Sequence, residues 1–302
     1  MSDFDPRTLD GIRVMAALVD AKSFARAGEA LDMSQSGVSR AIARLEERLG
    51  VRLFDRTTRS VRLTDDGRHL YERVMPLLSA LSEATASTSS GVTTVRGRLR
   101  VNVDPFFSRM ILGPRLGAFL QSHPALALEL ITRDGLGDMV GDGFDVAIRF
   151  GHPKDSTLVA RKLLDSRIIT AAAPSYIKRH GAPKHPRELD QGAHVCIHFR
   201  DPLTGRPFPW EFHQKRKKLV LEPSGALTVN DAGTMLSVCT AGYGIGQLLE
   251  LGTEQLFAQG KLVDLFPDWP DERFPLVAYY PSRHHVPAKT RVLVEFVASL
   301  VR

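Results

Sequence analysis

Three consecutive apolar stripes with helical spacing, separated by short breaks, fill the first 50 residues and constrain the fold more than any other feature. The first stripe repeats at intervals of three and four residues, at Ile12, Met15, Ala16 and Val19. Such spacing places its members on one face of a helix. The second and third stripes lie in residues 24–31 and 35–49, with a three-residue break between them. Two helices joined by so short a break predict a helix-turn-helix.

Two further patterns follow this helical region. Residues 51–54 and 60–63 flank a polar turn and predict a two-stranded ribbon, which would complete a winged helix-turn-helix. Residues 64–90 have apolar positions spaced alternately by four and three, at Leu70, Val74, Leu77, Leu81, Ala84 and Thr88. A period of about 3.5 is typical of a two-helix coiled coil, so we expect a linker helix that forms a dimer. The alternative is that this helix lies on its own domain.

Strand and helix patterns alternate from residue 91 onward. Strands are predicted at residues 98–103, 126–132 and 145–149, and helices at residues 109–121 and 136–142. This alternation predicts right-handed crossovers and a parallel sheet, and a second run begins near residue 168. We therefore expect two α/β lobes with a cleft between them. The expected division of the chain is residues 1–63, 64–90 and 91–302.

The positive charge of the chain is unevenly placed. The net charge is +6, yet residues 1–92 hold 13 basic and 13 acidic side chains. Seven arginines nevertheless lie between residues 34 and 62. A local basic surface of this kind suits a polyanion such as double-stranded DNA.

The polar face of the third predicted helix carries side chains suited to base edges. Glutamine can pair with adenine, and arginine with guanine, through two hydrogen bonds. A helix N-terminus and the arginines of a ribbon suit phosphates. The candidate DNA-binding residues are Ser34, Gln35, Ser36, Ser39, Arg40, Arg56 and Arg59. The alternative is an ordinary solvated helix face.

Other classes of function lack their motifs. The sequence contains no nucleophile elbow, Walker loop or His-Glu-x-x-His pattern, and its histidine spacings match no common zinc site. We therefore expect no enzyme, no cofactor and no metal. No apolar stretch approaches the roughly 18 residues of a membrane span, and the first ten residues are acidic and polar. Two cysteines, Cys196 and Cys239, suit a reducing compartment, so we expect a cytoplasmic protein that binds no membrane.

The expected cleft is placed by topology, because ligands of open α/β sheets bind at the carboxyl ends of strands. The candidate effector-binding residues at such ends are Phe107, Ser108, Arg149, Phe150, His198, Phe199, Arg200 and Asn230. Ser108 would hold a carboxylate, Arg149 or Arg200 would neutralise it, and the phenylalanines would form apolar walls. The alternative is that the aromatic residues are hinge packing and that Arg149 is ion-paired with Asp145 or Asp104.

Between residues 9 and 67 the chain resembles the DNA-binding domain of the LysR-type transcriptional regulators. The resemblance rests on Ser23, Phe24, Ala27, Leu31, Ser34, Gln35, Val38, Ser39, Ile42, Leu45, Glu46, Leu49, Gly50, Leu53, Phe54, Arg56, Leu63, Thr64 and Gly67. Gly28 and Gly37 stand where the family more often has alanine. Each glycine in a helix costs about 0.5–1 kcal/mol relative to alanine.

The second half resembles one subgroup of the same family, through residues 145–151, 173–176, 230–231 and 242–246. The resemblance implies a winged helix-turn-helix, a dimerising linker helix and a two-lobed effector domain similar to periplasmic binding proteins. It implies as partners double-stranded DNA, further copies of the chain in a dimer or tetramer, RNA polymerase, and a small anionic effector, with aromatic acids among the candidates. An effector-free or thiol-switched regulator is the alternative.

Overall fold

The computed structural model describes residues 5–57, 60–90, 95–153, 157–202, 204–281 and 286–301. Its α-helices are α1 Pro6–Ala21, α2 Phe24–Leu31, α3 Gln35–Leu49, α4 Asp65–Ser90, α5 Pro105–Phe107, α6 Leu116–Ser122, α7 Pro174–His180, α8 Ala232–Thr240, α9 Glu254–Ala258 and α10 Ala288–Leu300. Its strands are β1 Phe54–Thr57, β2 Ser60–Leu63, β3 Gly97–Val103, β4 Leu126–Thr132, β5 Val146–Phe150, β6 Val159–Ala172, β7 Cys196–Phe199, β8 Trp210–Gln214, β9 Lys217–Leu221, β10 Leu227–Val229, β11 Ile245–Leu249, β12 Val263–Asp264 and β13 Arg273–Tyr280. Within these ranges, the helices are too short or too polar to cross a membrane.

The first three helices share one small core, as their apolar stripes predict. Its buried side chains include Met15, Leu18, Ala27, Val38, Ile42 and Leu45. The predicted three-residue break separates α2 from α3. The strands β1 and β2 form the predicted antiparallel ribbon, with Phe54 opposite Leu63. We refer to α1–α3 with β1 and β2 as the head, and to the β1–β2 ribbon as the wing.

Gly28 lies inside α2 and packs against the break between α2 and α3, so that a side chain would not fit there. Its carbonyl accepts a hydrogen bond from the backbone N–H of Met33 at 2.8 Å. A Cβ added to Gly28 would lie 2.4 Å from the Met33 backbone oxygen, whereas a Cβ on Gly37 would come no closer than 3.2 Å, to the Ser34 hydroxyl. A side chain at Gly28 would therefore clash with the Met33 backbone oxygen, although helix propensity alone favours alanine.

We expect Gly28→Ala to destabilise the head by about 2 kcal/mol, because overpacking against a backbone oxygen costs more than alanine returns in helix propensity. Gly37→Ala is the matched control, and its free energy of unfolding should stay within about 1 kcal/mol of the wild type. Urea unfolding followed by circular dichroism measures both. Equal stability of the two variants would show that the turn opens to accept a side chain.

The helix α4 contacts the head along its first half. Leu70, Val74 and Leu78 pack against the head core, so this half of the helix lies on its own domain, as the alternative interpretation holds. Leu77 and Leu81, by contrast, are 50% and 55% exposed. Leu77 and Leu81 are therefore the seam positions open to a second chain among the side chains that the structure describes, and the side chains of Ala84 and Thr88 lie outside that set.

The remaining chain forms a mixed sheet with strand order β10-β7-β11-β6-β13-β5-β3-β4, and β12 pairs with β6. β3 is parallel to β4 and β5, as the strand–helix alternation predicts. β13 is antiparallel to β5 and β6, and β11 is antiparallel to β6. The predicted parallel sheet is therefore correct for its first three strands and wrong for these pairs, because β6 and β13 do not follow crossover helices.

The long strand β6 belongs to two lobes. Its residues 159–167 pair with β13, and its residues 168–171 pair with β11. We define lobe I as β3, β4, β5 and β13 with α5, α6 and α10, and lobe II as β7–β12 with α7–α9. Phe106 of lobe I is buried in a cluster with Met235 and Leu248 of lobe II and with Ile169 of the β6 segment that pairs with β11. The lobes are therefore joined by a strand and by an apolar contact.

The segment between β4 and β5 is irregular at residues 136–138 and forms turns at residues 139–143, so the short helix predicted at residues 136–142 is wrong. Residues 135–143 contain four glycines. Gly137 and Gly143 have φ angles of 63° and 70°, which glycine adopts without strain. The apolar spacing is helical, but the glycines favour left-handed turns over a helix.

Candidate functional site

The helix α3 presents a polar face opposite its buried stripe. Ser34 caps this helix, because its Oγ accepts the backbone N–H of Gly37 at 3.0 Å. The exposed or partly exposed residues of the face are Gln35, Ser36, Ser39 and Arg40. Together with Phe24 of α2, the three serines and Gln35 line a shallow concave surface. The structure thus brings the five candidate residues of the helix together.

Glu46 attaches the wing to α3. Its Oε1 accepts the backbone N–H groups of Leu53 at 2.8 Å and Phe54 at 3.2 Å. Thr64 holds the other end, since its Oγ1 donates to Arg52 O at 2.6 Å and its N–H donates to Leu53 O at 3.0 Å. The sequence pattern singles out Glu46 and Thr64 through the family resemblance but assigns them no role. Glu46 thus joins the start of the wing to α3, and Thr64 joins the end of the wing to residues 52 and 53.

Of the two arginines expected on the wing, only Arg56 lies within the described residues. The backbone of Arg56 lies in β1 and pairs with Val61 of β2. Arg59 lies outside the described residues. Phosphate contacts by both arginines remain a prediction.

Arg149 lies at the end of β5, where the sequence predicts the cleft. Its Nη1 donates to the backbone oxygen of Arg133 at 2.7 Å and to Asn102 Oδ1 at 3.3 Å. Burial lowers the pKa of this guanidinium from its usual value, and the nearby carboxylates of Asp104 and Asp134 oppose that change. The side chain is thus partly desolvated and held by neutral oxygens.

The ion pair considered between Arg149 and Asp145 is wrong. Asp145 Oδ1 pairs with Lys289 Nζ at 2.7 Å, and its Oδ2 accepts the backbone N–H of Arg100 at 2.8 Å. Asp104 stays close to Arg149 but caps α5, where its Oδ1 accepts the N–H of Phe107 at 3.0 Å. Asp145 therefore binds Arg100 and Lys289 within lobe I and not the Arg149 guanidinium.

Polar contacts cross directly between the two lobes. Asn230 of lobe II donates its Nδ2 to Asp134 Oδ2 of lobe I at 2.7 Å. The guanidinium of Arg109, in lobe I, lies against Gly233 at the start of α8, 3.1 Å from where a Cβ would stand. Sequence reasoning found Asn230 but missed Arg109 and Asp134, because Arg109 was predicted only as the start of a helix and Asp134 lies in an irregular segment without a periodic signal.

The aromatic candidates of lobe I differ in accessibility. The Phe107 side chain is completely buried and its ring packs edge-on to Phe150, with centroids 6.4 Å apart. Phe150 is partly buried and contacts the core clusters of both lobes. Ser108 is partly exposed, and its N–H donates to Asp104 O at 2.8 Å. Phe107 is therefore inaccessible to a ligand, whereas Phe150 and Ser108 are partly accessible.

The candidates of lobe II are largely committed to local contacts. His198 is only 7% exposed, its ring lies edge-on to Trp210, and burial lowers its pKa. Arg200 is exposed and its Nε donates to Gly205 O at 3.1 Å, within its own loop. Phe199 is partly buried beside Phe208. Arg200, the expected alternative to Arg149 for neutralising a carboxylate, is thus hydrogen-bonded within its own loop.

The two cysteines lie in separate buried positions. Burial raises the pKa of each thiol to about 12. The Cys239 Sγ donates to the Ala171 carbonyl at 3.3 Å. Thiols with so high a pKa are poor nucleophiles, which does not favour the thiol-switched alternative. The described part of the chain also holds no cluster of three metal-ligating side chains.

The comparisons with known proteins agree with this architecture. Residues 9–68 match the family model for the bacterial regulatory helix-turn-helix protein of the LysR family, and residues 93–302 match that for the LysR substrate binding domain. The chain belongs to the LysR family. It is a DNA-binding transcriptional regulator with an effector-binding domain.

Several relatives match over nearly the whole length. A transcriptional repressor of Pseudomonas aeruginosa is 32% identical, over 97% of this chain and 92% of its own length. The regulator CrgA of Neisseria meningitidis is 32% identical, over 95% of this chain and 94% of its own. The crystallised CrgA superimposes with a TM-score of 0.62 at 31% identity, covering 96% of this chain and 97% of that one. The full-length regulator LysG of Corynebacterium glutamicum, at 19% identity, shares the fold with a TM-score of 0.67 over 99% of this chain and 100% of its own.

Proposed function

We propose that this regulator responds to a small carboxylate that binds between lobes I and II against Arg149. The observation that carries the proposal is the partly desolvated guanidinium of Arg149, whose hydrogen bonds reach two neutral oxygens. A carboxylate ligand would supply the charge that these oxygens lack, and charge-assisted hydrogen bonds are the stronger kind. Aromatic acids are included among the proposed candidates, because Phe150 ends the same strand and contacts the core clusters of both lobes.

The test is a thermal-shift screen of the full chain against small aromatic and aliphatic carboxylates, each paired with its neutral amide. A carboxylate at about 100 times its Kd should stabilise the fold by about 2.7 kcal/mol, a shift of several degrees in Tm. The paired amide should give no shift. Equal shifts from acids and amides would show that the effector is not recognised by charge, and no shift from any acid would favour an effector-free regulator.

For DNA, the proposed division is that Gln35 and Arg40 read base edges while Arg56 and Arg59 hold the phosphate backbone. Ser34, Ser36 and Ser39 would support both contacts from the N-terminal half of α3. The argument for it is the exposure of Gln35 and Arg40 on the face of α3 opposite the core. Side chains on that face can reach base edges in the major groove.

Arg40→Ala should weaken binding to a selected operator by about 1–3 kcal/mol and reduce its preference over unrelated DNA. Arg59→Ala, the matched arginine-to-alanine control, should weaken all sequences alike and flatten the salt dependence by about one unit. Fluorescence anisotropy at several salt concentrations, on operators obtained by in vitro selection, measures both. The reverse pattern would exchange the two roles.

We also propose that copies of the chain associate through Leu77 and Leu81 of α4, and that such dimers pair into tetramers. The half-exposure of both leucines supports this, because covering apolar side chains of one helix stripe with a partner stabilises the association.

The proposed domains are the head (1–63), the linker (64–90) and the effector domain (91–302). RNA polymerase is a further proposed partner, in keeping with a regulator of transcription.

A further inference from the structure

The head and the first turns of α4 are joined to lobe I by ion pairs that converge on one loop. Both terminal nitrogens of Arg68, in α4, donate to the carboxylate of Asp138. At the end of α1, Lys22 Nζ pairs with Asp142 Oδ1. Arg68 also lowers the pKa of the Asp138 carboxyl below its ordinary value through this hydrogen bond. Two separate elements of the DNA-binding half thus contact residues 133–144, which we call the clamp loop.

The same loop forms part of the cleft at its other end. The backbone oxygen of Arg133 accepts the hydrogen bond from Arg149. Asn102 Nδ2 donates to Gly135 O at 3.2 Å and to the next carbonyl at 3.0 Å. Asp134 accepts the hydrogen bond from Asn230 across the cleft. Three residues of the clamp loop therefore lie between the cross-lobe contact of Asp134 and the contact of Asp138 with α4.

Internal contacts hold the two ends of the clamp loop together. Arg133 Nη1 pairs with Asp142 Oδ2, so the cleft end is bonded directly to the residue that binds Lys22. The guanidinium of Arg133 also lies over the Phe144 ring, 4.7 Å from its centroid. Phe144 N donates to Met139 O at 2.8 Å, and both of these side chains are buried. A loop pinned in this way moves as a unit, and packed units pass displacements on.

We propose that the clamp loop couples lobe closure to head docking, so that the Asn230–Asp134 contact and the Arg68–Asp138 contact form and break together. The supporting geometry is that of one rigid segment. Its Asp134 contacts lobe II, its Asp138 contacts α4 and its Asp142 contacts the head. The coupling deepens the proposed function, because it names the path by which occupancy of the cleft reaches the head. The coupling is argued from contacts within the protein alone, so it can be tested without effector or DNA.

Hydrogen exchange of the full-length protein, with neither DNA nor effector, tests the coupling. Asn230→Ala removes the cross-lobe bond and should speed exchange at the start of α4, around the Arg68 amide, about fivefold. That factor corresponds to the loss of one typical hydrogen bond. Arg68→Ala should in turn speed exchange at the start of α8 by the same factor, because coupling between sites is reciprocal. Glu222→Ala, at an exposed position of lobe II, is the control and should alter neither region.

A charge exchange separates coupling from loss of structure. Arg68→Asp and Asp138→Arg should each speed exchange at the start of α8, and the double variant should restore the wild-type rate. Changes confined to α8 and the clamp loop in Asn230→Ala, with α4 unaffected, would overturn the proposal. Since the readout uses neither ligand nor DNA, a failed carboxylate screen leaves this result standing, and a failed coupling leaves the effector proposal standing.

Discussion

Arg149→Ala should strongly reduce the thermal shift given by any carboxylate that stabilises the wild type, and with it the effect of that compound on operator binding. The guanidinium is the cation at the end of β5, and its half-buried position strengthens a charge-assisted hydrogen bond. Losing such a bond should weaken the carboxylate about 10- to 100-fold. Calorimetric titration of the wild type and the variant measures the change in Kd.

Arg200→Ala is the matched control, since its guanidinium bonds to Gly205 within its own loop and its loss should leave carboxylate affinity within about twofold. Arg149→Ala also leaves the Arg133 oxygen and the Asn102 amide without a donor, which should cost about 1–3 kcal/mol of stability. The variant should still fold and bind DNA through its head. A carboxylate bound by Arg149→Ala as tightly as by the wild type would place the effector elsewhere.

Leu77→Glu should convert the protein to monomers at micromolar concentration and sharply reduce operator affinity. Half of the Leu77 surface is open in the single chain, so glutamate can stand there without disturbing the fold. In a helix–helix seam, however, the same carboxylate would be buried without a partner, at a cost of several kcal/mol. Two heads on one dimer bind DNA far more tightly than one, because the second contact is intramolecular.

Val220→Glu is the control for this experiment, because Val220 is 49% exposed but lies on β9 of lobe II. It should remain associated like the wild type in sedimentation velocity runs. Sedimentation of Leu77→Glu as a dimer, with operator affinity unaltered, would place the interface away from α4.

Local patterns predicted the head well and the cleft less well. The helices α1–α3 and the wing follow from apolar spacing within a few residues, which is local information. Residues 136–142 have helical apolar spacing too, yet their glycines adopt turns. The clamp loop could not be predicted, because its contacts join residues as distant as Lys22 and Asp142.

Strand ends predicted where the cleft lies but not which side chains face it. Successive residues of a strand point to opposite faces, so an error of one position exchanges an open side chain for a buried one. His198 is buried for this reason while its neighbour Phe199 is partly exposed. The partners of Asn230 and Arg149 also come from another segment, residues 133–134, and nothing in the strand pattern specifies them.

The Glu46 carboxylate sets the spacing between the recognition helix and the wing before any duplex arrives. Little conformational entropy is therefore lost at that joint on binding. A duplex whose groove width or curvature departs from this spacing must deform to fit, and the energy of that deformation depends on base sequence. We therefore expect the head to discriminate among operators even at base pairs that no side chain touches.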